Sequence, residues 1–374
     1  MATVDDVPDS TSLRFRATSA VGDGAPEPER TATLPPGPRW PAFVQTVALM
    51  RFRHSFIPWL HRTYGDVFTV KLLPRARPLV LVTRPEHTRE VFAGDPEVFH
   101  AGKANSILGP VMGKHSLLLQ DSLEHKRARK LLMPAFNGAA LKEYQGLVST
   151  LAREHVDGWR DGEEFRSLDR MNTLTLEVIL RVVFGVTDER RLAALRPCVN
   201  ATVDVSPVVL LGWGYPWLQK IGMWKRAVTN QYELDRLMYA EIRERRAATD
   251  LNERTDVLSR LIRVGAADEG GLDDTELRDQ LVTLLLAGHE TTATALAWAL
   301  YELGRDSDLH ARSVAAAAAD GAEADAWLEA VMKESMRLHP VIPMVVRTLM
   351  KDTSIAGYDL PAGTTIGPSI IINH

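Results

Sequence analysis

Residues 281–303 read LVTLLLAGHETTATALAWALYEL, a long apolar run with one polar interruption near its middle. The stretch before it, GLDDTELRDQ, is acidic, and Asp273 followed three places later by Glu276 marks a helix N-terminus. Side-chain oxygens at those positions satisfy backbone N–H groups that a helix leaves free. A helix from Asp274 to Gly304 would be roughly 45 Å long, enough to cross a whole domain. The interruption, Gly288-His289-Glu290-Thr291-Thr292, is then expected where the helix is most buried. A buried carboxylate costs several kcal/mol unless it is paired, hydrated or useful. Buried Thr can bond back to the carbonyl four residues earlier and bend the helix. Acid, alcohol and glycine together suggest a site.

Simpler readings fit less well. A membrane span needs about 18 uninterrupted apolar residues, and His289 and Glu290 break this run too early. A zinc-protease helix needs a second His four places after His289, where Ala293 stands. A plain core helix with a hydrated polar defect stays open on this stretch alone.

The chain has 374 residues, 45% hydrophobic and 25% charged, which suits a soluble globular protein of one large or two smaller domains. A net charge of −4 gives no case for nucleic acid. The single cysteine, Cys198, excludes an internal disulfide framework and a multi-cysteine metal site, and suits a reducing compartment. The N-terminus has neither a basic start nor an apolar core, so a cytoplasmic location is expected. Residues 1–33 are polar with scattered Gly and Pro, and are expected to be disordered.

Leu34-Pro35-Pro36-Gly37-Pro38 is a stiff opening segment, since proline fixes φ and prevents helix. A short helix is expected over Arg53–Tyr64, then two β-rich runs, Val67–Leu73 and Leu79–Thr83. Phe99–Gln120 reads as a mobile loop long enough to be functional. A basic amphipathic helix follows, in which His125 and Arg129 are four apart and could reach one anionic group. Val205–Trp217, apolar and rich in breakers, reads as a pliable lid, with a membrane- or partner-resting patch as the rival. Asn230–Thr249 looks solvent-exposed. In the helix Ala326–His339, Glu334 and Arg337 are three apart and can pair. Short strands are expected around Val345–Arg347, Ile355–Tyr358 and Thr364–Ile372.

Taken together, these pieces resemble one family. Ala287-Gly288-His289-Glu290-Thr291-Thr292 resembles the oxygen-binding helix motif of the cytochrome P-450 family. Glu334-Ser335-Met336-Arg337 followed by Leu338-His339-Pro340 is similar to its E-x-x-R helix. His125-x-x-x-Arg129 is similar to the bacterial helix that holds the haem propionates. The proline-rich opening, the early β-hairpin and the GYDLPAGT turn match in order. The resemblance covers residues 34–374 and implies a mainly α fold with small β-sheets around haem b.

The family's haem-thiolate cysteine lies in a Gly-rich loop after the strands that close this sequence. The resemblance therefore implies a cytochrome P-450 domain at 34–374 that is C-terminally truncated, its fold incomplete there. Cys198 has none of that loop's glycines and reads as an ordinary small residue, so no metal ligand is assigned. An axial thiolate would favour O–O cleavage, which consumes protons. By the resemblance, Glu290 relays protons, Thr291 holds O2 and an ordered water, and Ala287 and bare Gly288 leave room beside them. His125, Arg129 and Arg347 hold the propionates. Glu334 and Arg337 form a buried structural pair. Lys126, Arg127 and Lys130 face a ferredoxin-type electron donor. The substrate expected is an apolar small molecule, with no nucleic acid and no membrane span.

Two rival readings stand beside this one. One is a non-catalytic truncated remnant or helical binding protein. The other, an isoprenoid cyclase suggested by Asp273-Asp274, wants a third acid four places after Asp273, where Leu277 stands.

Overall fold

The structure, a computed structural model, describes residues 34–73, 77–203, 215–267, 270–319 and 321–373. The segment 204–214, which holds most of the expected lid, and the expected disorder at 1–33 lie outside the described residues. In order, the helices are α1 (Ala42–Tyr64), α2 (Pro85–Ala93), α3 (Ala101–Ala104), α4 (Gly109–Met112) and α5 (Ser122–Leu132). Next come α6 (Gly138–Asp157), α7 (Ser167–Val182), α8 (Glu189–Val203), α9 (Gly222–Ala247) and α10 (Val257–Ala267). The last are α11 (Asp274–Gly288), α12 (Glu290–Arg305), α13 (Ser307–Ala318), α14 (Ala322–Leu338) and the single turn α15 (Ile370–Asn373).

The long apolar run folds as α11 and α12, two helices joined by a break at His289. Its N-terminus is closed as expected: Asp273 accepts from the Glu276 N–H at 2.8 Å, and Glu276 accepts from the Asp273 N–H at 3.0 Å. At His289 the backbone stays in the right-handed helical region, but its ψ of −72° lies well off the usual helical value and opens the break. Thr291 contributes to the bend by donating to the Ala287 carbonyl at 2.5 Å. One expectation is corrected here. The buried member of the polar interruption is His289, 2% exposed, whereas Glu290 is exposed and Thr291 half-buried. The break turns the imidazole towards α7, where Nδ1 lies 2.8 Å from the Thr175 hydroxyl. That hydroxyl donates to the Met171 carbonyl at 2.9 Å, so it accepts from Nδ1–H.

The β layer is a five-stranded sheet in the order β1-β2-β7-β4-β3 and a separate pair, β5-β6. The expected hairpin is β1 (Val67–Leu72) against β2 (Arg77–Val82), antiparallel, with Phe68 opposite Leu81. β7 (Thr365–Pro368) runs parallel to β2, and β4 (Arg347–Leu349) joins β7 to β3 (Phe99–His100). β5 (Thr353–Ile355) and β6 (Tyr358–Leu360) close a tight hairpin. The strand expected through Ile372 stops at Pro368, and Ile370–Asn373 is a helical turn. The proline-rich opening lies against β1, its Pro36 carbonyl accepting from the Thr69 N–H at 2.9 Å. A Cβ at Gly37 would sit 1.9 Å from the Thr69 carbonyl oxygen, so only glycine permits that approach. The helix after it begins at Ala42, eleven residues before the expected start, and kinks at Phe52.

Two further expectations are corrected. Asn230–Thr249 is not a solvent helix, because Leu234, Met238 and Ile242 recur every fourth residue along α9 and are fully buried. Its charges are partly internal as well. Arg245 is buried and donates to Glu241 at 2.8 Å, Asp256 at 2.6 Å, Ser259 at 2.8 Å and the Phe184 carbonyl at 2.8 Å. Phe99–Gln120 is not an unstructured loop but β3, α3, a 3-10 turn and α4, followed by a stretch fastened to α11. Asp279, buried in α11, accepts from the His115 N–H at 3.0 Å and lies 3.2 Å from its ring. Gln280 accepts from the Leu117 N–H at 3.2 Å, and Thr283 donates to Ser116 at 2.7 Å. Gly113, at φ +82°, is needed here, since a Cβ would fall 1.9 Å from the Asp279 carboxylate.

Replacing Arg245 by Met leaves the buried Asp256 carboxylate without its cation and Glu241 with Arg191 alone, an effect of about 3–5 kcal/mol in such sites. Chemical denaturation should show a loss of that size, with a change under about 1 kcal/mol contradicting the network's role. Burial also pushes the His289 imidazole below its ordinary value of 6.5. The unfolded chain then binds a proton that the folded chain refuses, so stability is retained above about pH 6.5 and lost as pH falls through the folded value. The Tm of the parent protein should drop more steeply below that pH than the Tm of His289→Asn. Parallel curves would show that the imidazole titrates freely in the fold.

Candidate functional site

The break at His289 sorts the residues around it by face. Ala293 and Ala297 are buried against Met171 of α7, with Leu174 and Leu296 packed beside them. Gly288 faces the same way: a Cβ there would meet the Ile179 methyl at 2.9 Å. The room expected beside Gly288 is thus filled by Ile179, and its bare Cα serves helix packing. On the opposite face Ala287, Thr291, Thr294, Trp298 and Tyr301 follow one another at spacings of four and three, each exposed or half-buried. This stripe is built of small side chains at one end and aromatic ones at the other. Thr291 and Thr294 supply its two aliphatic hydroxyls, each beside a methyl, and exposed Glu290 stands at its shoulder.

The aromatic end is closed by the residue that follows α14. The His339 ring stacks on Trp298, with centroids 3.8 Å apart and planes 4° apart, and Nε2 lies 2.6 Å from Glu302. Tyr301 meets both rings edge-on. The small end, from Ala287 to Thr294, presents only methyl groups and two hydroxyls.

Three cations named from the sequence sit on α5 and β4. His125 is half-buried and Arg129 exposed on α5, and neither side chain has a partner among the described residues. Arg347, at the start of β4, is half-buried, lies 5.1 Å over the Phe92 ring and donates to the Val346 carbonyl at 2.9 Å. Burial lowers its pKa, and the charge of Asp121 opposes that. Asp121 is also the N-cap of α5, so it relates Arg347 to the helix bearing His125. Its own carboxylate is occupied by the N–H groups of Gly102 at 2.8 Å and Lys103 at 2.9 Å. A half-buried guanidinium with no carboxylate in contact among the described residues suits an added anionic ligand.

Other sequence-named residues are placed differently from expectation. Arg127 does not point to a partner: it donates to Glu276 at 2.6 Å and to the Gly270 carbonyl at 2.9 Å, tying α5 to the capped start of α11. Lys126 and Lys130 stay exposed. Glu334 and Arg337 do pair, at 2.7 and 2.8 Å, but their side chains are 57% and 45% exposed rather than buried. Arg337 holds the Glu334 carboxyl below its usual range. The pair is exposed because α14 packs on α12 and α13 and leaves this face to solvent. Cys198 lies within α8, half-buried against the main core, and burial raises its thiol pKa. A metal-binding thiolate needs the reverse, a lowered pKa, so Cys198 is not built as a ligand.

Residues around the break that the sequence reading missed are His289, Thr294, the Asp279–His115 clasp, and Arg278, which donates to both Asp279 and Asp235. Their signal was present but weak. Thr294 stands three places after Thr291, the spacing that puts two side chains on one helix face. Arg278-Asp279-Gln280 interrupts a helix that is otherwise buried, as a polar run does only when it is bonded.

The family model for cytochrome P450 matches residues 34–374. Cytochrome P450 135A1 of Mycobacterium tuberculosis is 49% identical over 344 residues, which take in 92% of this chain and 76% of that protein. Cytochrome P450 135B1 of Mycobacterium bovis is 42% identical over 346 residues, covering 91% and 73%. Among solved structures, retinoic acid-bound cyanobacterial CYP120A1 superposes with a TM-score of 0.79 at 21% identity, covering 91% of this chain and 78% of that one. A cytochrome P450DA heme domain gives 0.72 at 22% identity, covering 92% and 78%. The last two bear on the fold alone, whereas the family match and the close relatives bear on descent, and on these grounds the chain belongs to the cytochrome P450 family of haem-dependent monooxygenases.

Proposed function

We propose that this chain serves O2-dependent hydroxylation of an apolar small molecule, with haem b seated along the open face of α12. The observation that carries the reading is the stripe of small side chains Ala287, Thr291 and Thr294, in a protein that also holds half-buried Arg347 and, without partners among the described residues, His125 and Arg129. These residues suit the group in two respects. A porphyrin is flat and largely apolar, so it fits a row of small side chains, and its two propionates call for charged donors. When bound through a thiolate, haem supplies the electron-rich iron that favours O–O cleavage.

The chain's own residues would then act as follows. His125 and Arg129 bind one edge of the group and Arg347 another, fixing its orientation against α12. The Thr291 hydroxyl, held by its bond to the Ala287 carbonyl, presents its oxygen as an acceptor and so positions an ordered water. Glu290, one residue away on the exposed side, is placed to carry protons between bulk solvent and that water. Ala287 keeps that face free of bulk, and the buried Ala293 and Ala297 exclude water from the reverse side. Glu334 and Arg337 would brace the neighbouring structure as a structural pair. Exposed Lys126 and Lys130 would steer an acidic, ferredoxin-type donor, a weaker patch than expected because Arg127 is engaged with Glu276. A cytoplasmic setting fits such a donor.

The test is Thr291→Ala in the haem-loaded enzyme, following peroxide released per reductant oxidised. Loss of the hydroxyl should raise that ratio roughly tenfold or more, given that a positioned proton-transfer group contributes about 10²–10⁴. An unchanged ratio removes Thr291 from the proposed chemistry.

A further inference from the structure

The first half of α1 is built inside out. Its inward face carries a fully buried glutamine: Gln45 donates to the Pro38 carbonyl at 3.1 Å and the Trp40 carbonyl at 2.7 Å, and accepts from the Lys71 N–H at 2.8 Å. Its outward face carries Phe43, Val44, Val47 and Met50, all exposed, with Trp40 before it and Phe52 after it exposed too. Phe43, Val47 and Met50 are four and three residues apart, so they share one helix face, and Val44 sits on its shoulder. An amphipathic helix on a globular protein normally turns its apolar stripe to the core. Here the core contact is made by Gln45 and Leu49, and the apolar stripe is left outside.

The charge around this stripe is one-sided. From Leu34 to Gly65 the sequence contains no Asp or Glu, yet it carries Arg39, Arg51, Arg53 and Arg62, in a chain whose net charge is −4. None of these four arginines forms an ion pair among the described residues, and Arg39, Arg51 and Arg62 are exposed. Arg51 falls on the apolar arc itself, its guanidinium 5.5 Å from the Phe52 ring centroid. A second copy docking face to face would set these arginines against their own counterparts, a like-charge arrangement that opposes association. A surface that accepts exposed aromatic and aliphatic side chains while neutralising surrounding arginines is an anionic lipid bilayer.

We infer that Trp40, Phe43, Val44, Val47, Met50 and Phe52 rest in the interfacial layer of an anionic membrane, with Arg39 and Arg51 at the level of the headgroups. No helix of the described residues is long and apolar enough to cross a membrane, so the association is peripheral. It is independent of haem. It also leaves the fold undisturbed, because the inward bonds of Gln45 hold α1 in place whichever medium lies outside.

The test is co-sedimentation of the 374-residue chain with vesicles of phosphatidylcholine alone, or of phosphatidylcholine and phosphatidylglycerol in equal parts. Tryptophan emission is followed in parallel. Binding should favour the anionic vesicles by about tenfold or more, shift the emission to shorter wavelength, and weaken with added salt. Phe43→Glu with Val47→Glu should abolish binding with an unchanged circular dichroism spectrum, since both side chains are exposed. Arg39→Glu with Arg51→Glu should remove the preference for anionic lipid. The inference is overturned by absence of binding to either vesicle, by binding that the Phe43/Val47 variant retains, or by a patch-dependent dimer or captured acidic protein without vesicle binding.

Discussion

The hydrogen bond between the His289 ring and the Thr175 hydroxyl is the constraint from which the rest of the site follows. A neutral imidazole is buried at the break between α11 and α12, and it is bonded to a side chain of α7. Burial without that bond would leave a polar ring unsatisfied at a cost of about 1–3 kcal/mol. With it, α7 fixes the rotation of α12 about its own axis. That rotation sends the small buried alanines to α7 and leaves Thr291 and Thr294 on the open side. One buried contact therefore decides which residues can meet a ligand.

Around this hinge, polar groups act as fasteners between layers that hydrophobic packing alone would leave free to slide. Asp279 clamps the segment after α4 to α11, Arg278 reaches from the same turn to Asp235 of α9, and Arg127 binds α5 to the capped start of α11. Each fastener joins α11 to a different neighbour. Such pairs, buried or exposed, add little net stability. Their contribution is register: each fixes which turn of one helix faces which turn of another.

Much of this was legible in the sequence, for definite reasons. The Asp273–Glu276 cap, the β1-β2 hairpin and the break in the long helix rest on local chemistry, which a sequence states directly. The motif around Glu290 and Thr291 and the Glu334–Arg337 spacing led to the right family. What failed was the assignment of sides. Polar character at residues 288–292 suggested a buried acid, but the side chain the fold buries is the histidine next to it. Charge density along α9 suggested solvent, yet Glu241 and Arg245 neutralise each other inside. Phe99–Gln120 looks like a loop because its helices are only a turn or so long and its anchors lie more than a hundred residues away. Burial and long-range pairing are properties of the assembled chain, and local pattern does not encode them.

The central claim is that the face of α12 opposite α7 is the seat of the porphyrin. Hydrogen exchange of the protein with and without added haem reads this most directly. The account predicts new protection concentrated in residues 287–301 and at the segments carrying His125, Arg129 and Arg347, with α9 unchanged. Haem binding that protects other segments and leaves 287–301 exchanging as before would contradict it.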